Sequence, residues 1–132
     1  MSGGHRERFE LARQQYGRAL ARLHEVLAVD ESEIVRDALI QRFEFTYELA
    51  WKTMFYWLRD AGEKVPEIVR AVLQAGFKAE LISDAQAWER IKEFRDETSH
   101  TYDQNKAIEV AAFVRAEAIV AFDALQARLA LL

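Results

Sequence analysis

The chain has 132 residues, 51% of them apolar, no cysteine and a formal charge of −4. The missing cysteines exclude disulfides and thiolate metal sites, and the acidic balance excludes a protein that grips nucleic acid over a broad basic surface. No stretch reaches the roughly 18 uninterrupted apolar residues of a membrane span, and the N-terminus has no signal-peptide pattern, so one cytoplasmic domain over 1–132 is expected.

One proline, five glycines and long runs of helix-forming residues predict an all-α fold. Phe9, Ala12, Tyr16, Leu20, Leu23 and Leu27 recur at three- and four-residue steps and predict an amphipathic helix over about 5–28. Asp30 to Ser32 break it and offer caps for a second helix over 33–61, which ends at Gly62. That helix concentrates aromatic residues between Phe43 and Trp57. Phe43, Tyr47, Trp51 and Phe55 follow a four-residue step and fit one core stripe, while Phe45, Leu49 and Tyr56 point elsewhere. The second set is either covered by the protein's own helices or left as apolar surface for a partner, a self-complementary dimer being the simplest case.

A short third helix over 66–75 opens on Pro66, carries Ile68, Val69, Val72 and Leu73, and stops at Gly76. Ser83 followed by Gln86 reads as a capping box for a fourth helix over 84–98, through Trp88, Ile91 and Phe94. Thr101 with Gln104, or Asp103 as the cap, opens a last helix over 103–130 bearing Ile108, Ala112, Ile119, Phe122, Leu125 and Leu129. Four long amphipathic helices and one short one predict a four-helix up-and-down bundle with one short additional helix.

The chemistry concentrates in Arg95-Asp96-Glu97-Thr98-Ser99-His100-Thr101-Tyr102. Arginine matches phosphate with a planar fork of donors, and histidine exchanges protons near neutrality. On an unbroken helix Arg95, Ser99 and Tyr102 would align, whereas His100 would lie about 140° round from Arg95. Arginine and imidazole converge only if the helix breaks near Thr98 to Thr101 or if a second subunit supplies the missing group. Metal-free RNA cleavage needs a base, an acid and a cation for the phosphorane; one histidine per chain leaves one role open, which a symmetric dimer fills. The plainer reading is a capping histidine and an Arg95 bridge to Asp96 or Glu97. Ser99 reads as a local backbone hydrogen-bonder. Glu44, Glu48 and Lys52, at four-residue steps, read as a polar stripe worth a few tenths of a kcal/mol per pair; Arg42, Glu44 and Lys52 read alternatively as lining of a dimer cleft. Arg90 and Lys92 belong to a solvated face or, with Arg95, to a small basic patch. His5 and His24 have no companion at ligand spacing and there is no glycine-rich phosphate loop, so neither metal nor cofactor is expected.

The run from Arg36 to Lys52, then Ala75-Gly76 and Thr98 to Asp103, closely resembles the nucleotidyltransferase substrate-binding protein family, over about residues 5–125. The resemblance implies a HEPN-type bundle similar to the HepT toxins, encoded beside a minimal nucleotidyltransferase in a toxin-antitoxin-like pair. It implies Arg95 and His100 as catalytic residues of an RNase site at a homodimer interface, and Tyr102 as the hydroxyl that the partner transferase modifies with AMP. Many relatives carry asparagine where this chain has Asp96, and an acidic side chain there competes with phosphate for Arg95. The alternative is a non-catalytic docking module that presents a substrate or a surface to the transferase. The chain is not itself the transferase, since a Gly-Ser pair followed by paired metal-binding aspartates is absent.

Overall fold

The structure, a computed structural model, describes residues 2–132, with side chains from residue 4 onward. Helix α1 (Ser2–Leu27) buries Phe9, Ala12, Tyr16, Leu20 and Leu23 along one stripe. A short connection leads into α2 (Glu33–Asp60), where the Ser32 hydroxyl accepts from the Val35 N–H at 3.1 Å. The two helices form the main antiparallel pair of the bundle. At the end of α2 the chain turns through Gly62 at φ 91°, and the Glu63 N–H reaches the Leu58 carbonyl at 2.9 Å. Only glycine adopts that left-handed step without steric cost.

Helix α3 (Val69–Lys78) departs from expectation at both ends. Pro66 is not its first residue, because the Ile68 N–H folds back onto the Pro66 carbonyl at 2.8 Å and Ile68 is extended. Gly76 does not stop it. A Cβ there would meet Met54 Sδ at 3.1 Å, so the glycine sits inside the helix and lets α3 lie close on α2. The helix ends instead at Glu80, a non-glycine residue at φ 62°, with the Leu81 N–H on the Gly76 carbonyl at 2.8 Å.

Helix α4 (Ala85–Glu97) is capped by Asp84, which accepts from the Ala87 N–H at 3.0 Å; the Ser83 capping box does not form, because the aspartate one residue later takes the position. A 3-10 turn (Thr98–His100) follows. Asp103, accepting from the Asn105 N–H at 2.9 Å, opens α5 (Gln104–Phe113). The last helix is not regular: α5 passes through a π turn (Val114–Ala118) into α6 (Ile119–Leu129). Its inward stripe is Ala107, Val110, Ala111, Val114, Ala118, Phe122, Leu125 and Leu129, so Ile108 and Ala112, expected inside, are exposed one position out of phase. From the π turn, Arg115 donates to the Leu27 carbonyl at 3.0 Å and ties the end of α1.

Phe122 marks the centre of the core, with ring centroids 6.5 Å from Tyr16, 6.0 Å from Phe43 and 5.7 Å from Trp88. One residue of α6 thus joins α1, α2 and α4, as a four-helix bundle requires. The aromatic stripe of α2 fills this core, while Phe45 stays 57% exposed. Among the described residues no helix is long and apolar enough to cross a membrane. The α1–α2 and α4–α5 connections lie at one end of the bundle, joined where Arg36 donates to Gln104 at 3.2 Å.

Candidate functional site

Trp88, Ile91, Arg95 and Thr98 repeat at three and four residues along α4, and that phase turns Arg95 toward α2 rather than into solvent. Its Nη1 lies 3.2 Å from Glu44 Oε2 and its Nε 3.7 Å from Glu48 Oε1. The same Nη1 donates to the Thr98 hydroxyl at 2.9 Å, and that hydroxyl has acceptors in Glu44 Oε2 at 3.0 Å and the Arg95 carbonyl at 2.7 Å. Glu48 is held in turn by the Trp51 indole N–H at 3.1 Å. Arg95 Nε is buried without a hydrogen-bond partner, since Glu48 stands too far to accept.

Tyr47 lies beside this group on α2. Burial raises its phenol well above the ordinary range, the Glu48 and Asp96 carboxylates push the same way, and Arg95 offsets only part. The phenol is therefore neutral at physiological pH.

Beyond Glu97 short local bonds hold the break. The Ser99 hydroxyl donates to the Asp96 carbonyl at 3.2 Å, Thr101 to Thr98 at 2.9 Å, and the Asp103 N–H to the His100 carbonyl at 3.1 Å. His100 is exposed on this turn, with its ring edge-on to Tyr102 at 6.1 Å between centroids, and Tyr102 is 83% exposed. The imidazole and phenol thus share a solvent-facing ledge at the end of α4, while the guanidinium is turned inward at its base.

Several expected partners are rearranged. Arg95 bridges to neither Asp96 nor Glu97: Asp96 pairs with Lys92 at 3.1 Å and Glu97 with Lys106 at 3.3 Å. Arg42 is not grouped with Arg95, because its side chain turns to α1 and donates to the Arg22 carbonyl at 2.8 Å. Glu44 is drawn in, whereas Lys52 forms no pair with Glu48 and lies with Nζ 6.0 Å from the Trp51 ring centre. Arg90 is bound to Glu117 at 2.6 Å on another face of α4. His24 lies on α1, 2.7 Å from Asp123. Glu48, Thr98 and Tyr47 were missed as members of the group; the signal for them was the shared phase of Arg95 with Trp88 and Ile91, which requires an acidic partner on the facing helix.

A single copy of this arrangement holds one imidazole able to donate or accept a proton, one arginine already faced by two carboxylates, and one free phenol. It supplies an acid or a base but not both at once.

Residues 11–131 match the family described as nucleotidyltransferase substrate binding protein like. Over 90 residues the chain is 37% identical to a probable ribonuclease HepT from Haemophilus influenzae, a match covering 62% of this chain and 62% of that relative. It is also similar to a crystal structure of a protein from Thermus Thermophilus, with a TM-score of 0.78 and 29% identity over 86% of this chain and 98% of that one.

Proposed function

The chain belongs to the nucleotidyltransferase substrate binding protein like family, and from that premise we propose that it is the helical partner of a small nucleotidyltransferase, with metal-independent ribonuclease chemistry in Arg95 and His100 and with Tyr102 as an AMP acceptor. The observation that carries this reading is the 3-10 break at Thr98–His100, which leaves imidazole and phenol together on one exposed ledge. The ribonuclease name of the Haemophilus influenzae relative supports it.

In the reaction proposed, the 2′-oxygen of RNA attacks the adjacent phosphorus, one imidazole takes its proton, and the P–O5′ bond breaks. A second imidazole protonates the departing 5′-oxygen, leaving a 2′,3′-cyclic phosphate, while Arg95 neutralises the charge that gathers on the phosphorane. The second imidazole comes from a second copy of the chain. In the modification proposed, the Tyr102 oxygen attacks the α-phosphorus of ATP and pyrophosphate leaves, the phenolic proton passing to a base on the transferase. AMP placed there adds bulk and negative charge beside His100 and blocks an anionic substrate.

Purified protein is expected to cleave RNA with EDTA present, and His100→Ala to lose about 10²-fold or more of that rate. Equal inertness of both proteins after removal of any AMP ends the ribonuclease reading. The grip of Glu44 and Glu48 on Arg95 favours a second reading, a non-catalytic docking module. Co-expression with the transferase, followed by mass measurement of the Tyr102 peptide, separates the two: unmodified Tyr102 in a stable complex with an inert protein supports docking.

A further inference from the structure

Along α4 from Arg95, toward its N-terminus, a cavity of about 270 Å³ opens between α3 and α4. Arg70, Gln74 and Phe77 line it from α3, and Trp88, Glu89 and Lys92 from α4. Phe77 is 47% exposed at the wall, an aromatic face open to solvent above a floor that includes the buried Leu73, Ile82 and Trp88. Arg70 has no ion pair or side-chain hydrogen bond among the described residues, while Lys92 engages Asp96 at 3.1 Å.

Those components match the needs of a nucleobase: an exposed aromatic face for stacking, an amide and a carboxylate for the base edge, and two cations for the flanking phosphates. The volume falls below the roughly 300–1,000 Å³ of cavities that enclose whole drug-sized ligands, so it fits one ring system with its sugar and phosphate outside. Lys92 precedes Arg95 by three residues, about 4.5 Å along the helix axis, so the Lys92 edge of the cavity is the α4 edge nearest the arginine.

We propose that the α3–α4 cavity takes the base of the nucleotide neighbouring the scissile phosphate in a single-stranded RNA. The inference rests on the ribonuclease reading for the place of that phosphate, and double-stranded RNA is excluded because its bases are stacked and out of reach. In a chain of net charge −4, Glu89 lines the same cavity and Asp96 holds Lys92, which leaves Arg70 as the unpaired rim cation among the described residues, so contact with RNA is confined to a few nucleotides.

The test uses a labelled 2′-O-methyl oligonucleotide, which cannot be cleaved, so binding is read apart from catalysis. Phe77→Ala is expected to weaken binding about ten-fold, Phe77→Trp to restore it, and Arg70→Ala to flatten its salt dependence. Removing one base from the oligonucleotide is expected to cost the wild type as much as Phe77→Ala does and to cost Phe77→Ala nothing further. Equal binding by wild type and Phe77→Ala, or no binding by wild type, overturns the proposal. Failure of the ribonuclease reading is seen separately, as RNA cleavage indifferent to His100→Ala while Phe77-dependent binding persists. Circular dichroism on Phe77→Ala establishes that the helices are intact.

Discussion

Arg95 is contested at the level of single charges. A phosphate approaching it meets Glu44 and Glu48 already in place, so the guanidinium must be shared or released before it can stabilise an anion. Glu44→Gln keeps the hydrogen bond to Thr98 and removes one negative charge; it is expected to raise the RNA cleavage rate several-fold. Its cost in stability is about 0.5 kcal/mol, since both side chains are about one-third exposed and water screens the pair. Denaturant unfolding and a cleavage assay on the same preparation check both parts; an unchanged rate means that Glu44 does not restrain the arginine. Tyr16 and Tyr47 give a second prediction at this scale. Burial raises both phenols, with Asp123 adding to the effect at Tyr16 and Glu48 and Asp96 at Tyr47. Because the folded values lie above the unfolded one, the native state holds its phenolic protons longer, and the associated stability is intact below about pH 10 and lost as pH rises beyond it. The Tyr16→Phe, Tyr47→Phe double variant is expected to lose less stability than wild type between about pH 9 and 11, measured by urea midpoints. The residues to which the proposed function assigns chemistry could be grouped from the sequence because Arg95, His100 and Tyr102 are close along the chain. Their neighbours were not, since Glu44 and Glu48 meet Arg95 only once two distant helices are packed.

At the scale of elements, the long helices were legible because apolar periodicity reports burial directly. Tyr16, Leu20 and Leu23 of α1, and Phe43, Tyr47, Trp51 and Phe55 of α2, all lie in the core. The termini were less so, because several neighbouring residues can compete for one cap: Asp84 displaced Ser83, and Asp103 took the place that Thr101 also offered. The π turn at Val114–Ala118 leaves no compositional trace and appears only as a phase slip in the inward stripe. Glu80 is informative in the same way, since an exposed glutamate holds a left-handed position that favours glycine. Glu80→Gly is expected to stabilise the protein by about 1 kcal/mol by relieving that strain, visible as a higher melting temperature. Arg128 contacts the Glu80 carbonyl at 3.0 Å and keeps that bond in the variant. Removing the cap of α5 works in the opposite direction. Asp103→Ala is expected to cost about 1 kcal/mol, and amide exchange from Gln104 to Lys106 is expected to accelerate because the cap lies next to the ledge bearing His100 and Tyr102.

The whole molecule must resolve the shortage of imidazoles. In the ribonuclease reading proposed above, each copy offers one His100, so the two proton transfers would need two copies facing one substrate, and two-fold symmetry would then bring two Arg95 residues with them. This makes a prediction that no single-chain mechanism shares. Arg95→Ala homodimers hold two imidazoles and no guanidinium, His100→Ala homodimers the reverse, and both are expected to be inert. Mixed by unfolding and refolding together, half of the dimers at statistical exchange carry one intact arginine and one intact histidine in the same cleft. Such a dimer keeps one of the two imidazoles the mechanism uses, so water must stand in for the missing acid or base, and it is expected to recover only a small fraction of wild-type cleavage. If each chain works alone, every chain in the mixture still lacks one of the two groups, and cleavage stays at the level of the parent variants. Sedimentation of the refolded mixture establishes that dimers are present; a monomeric wild type that cleaves sinks the composite site.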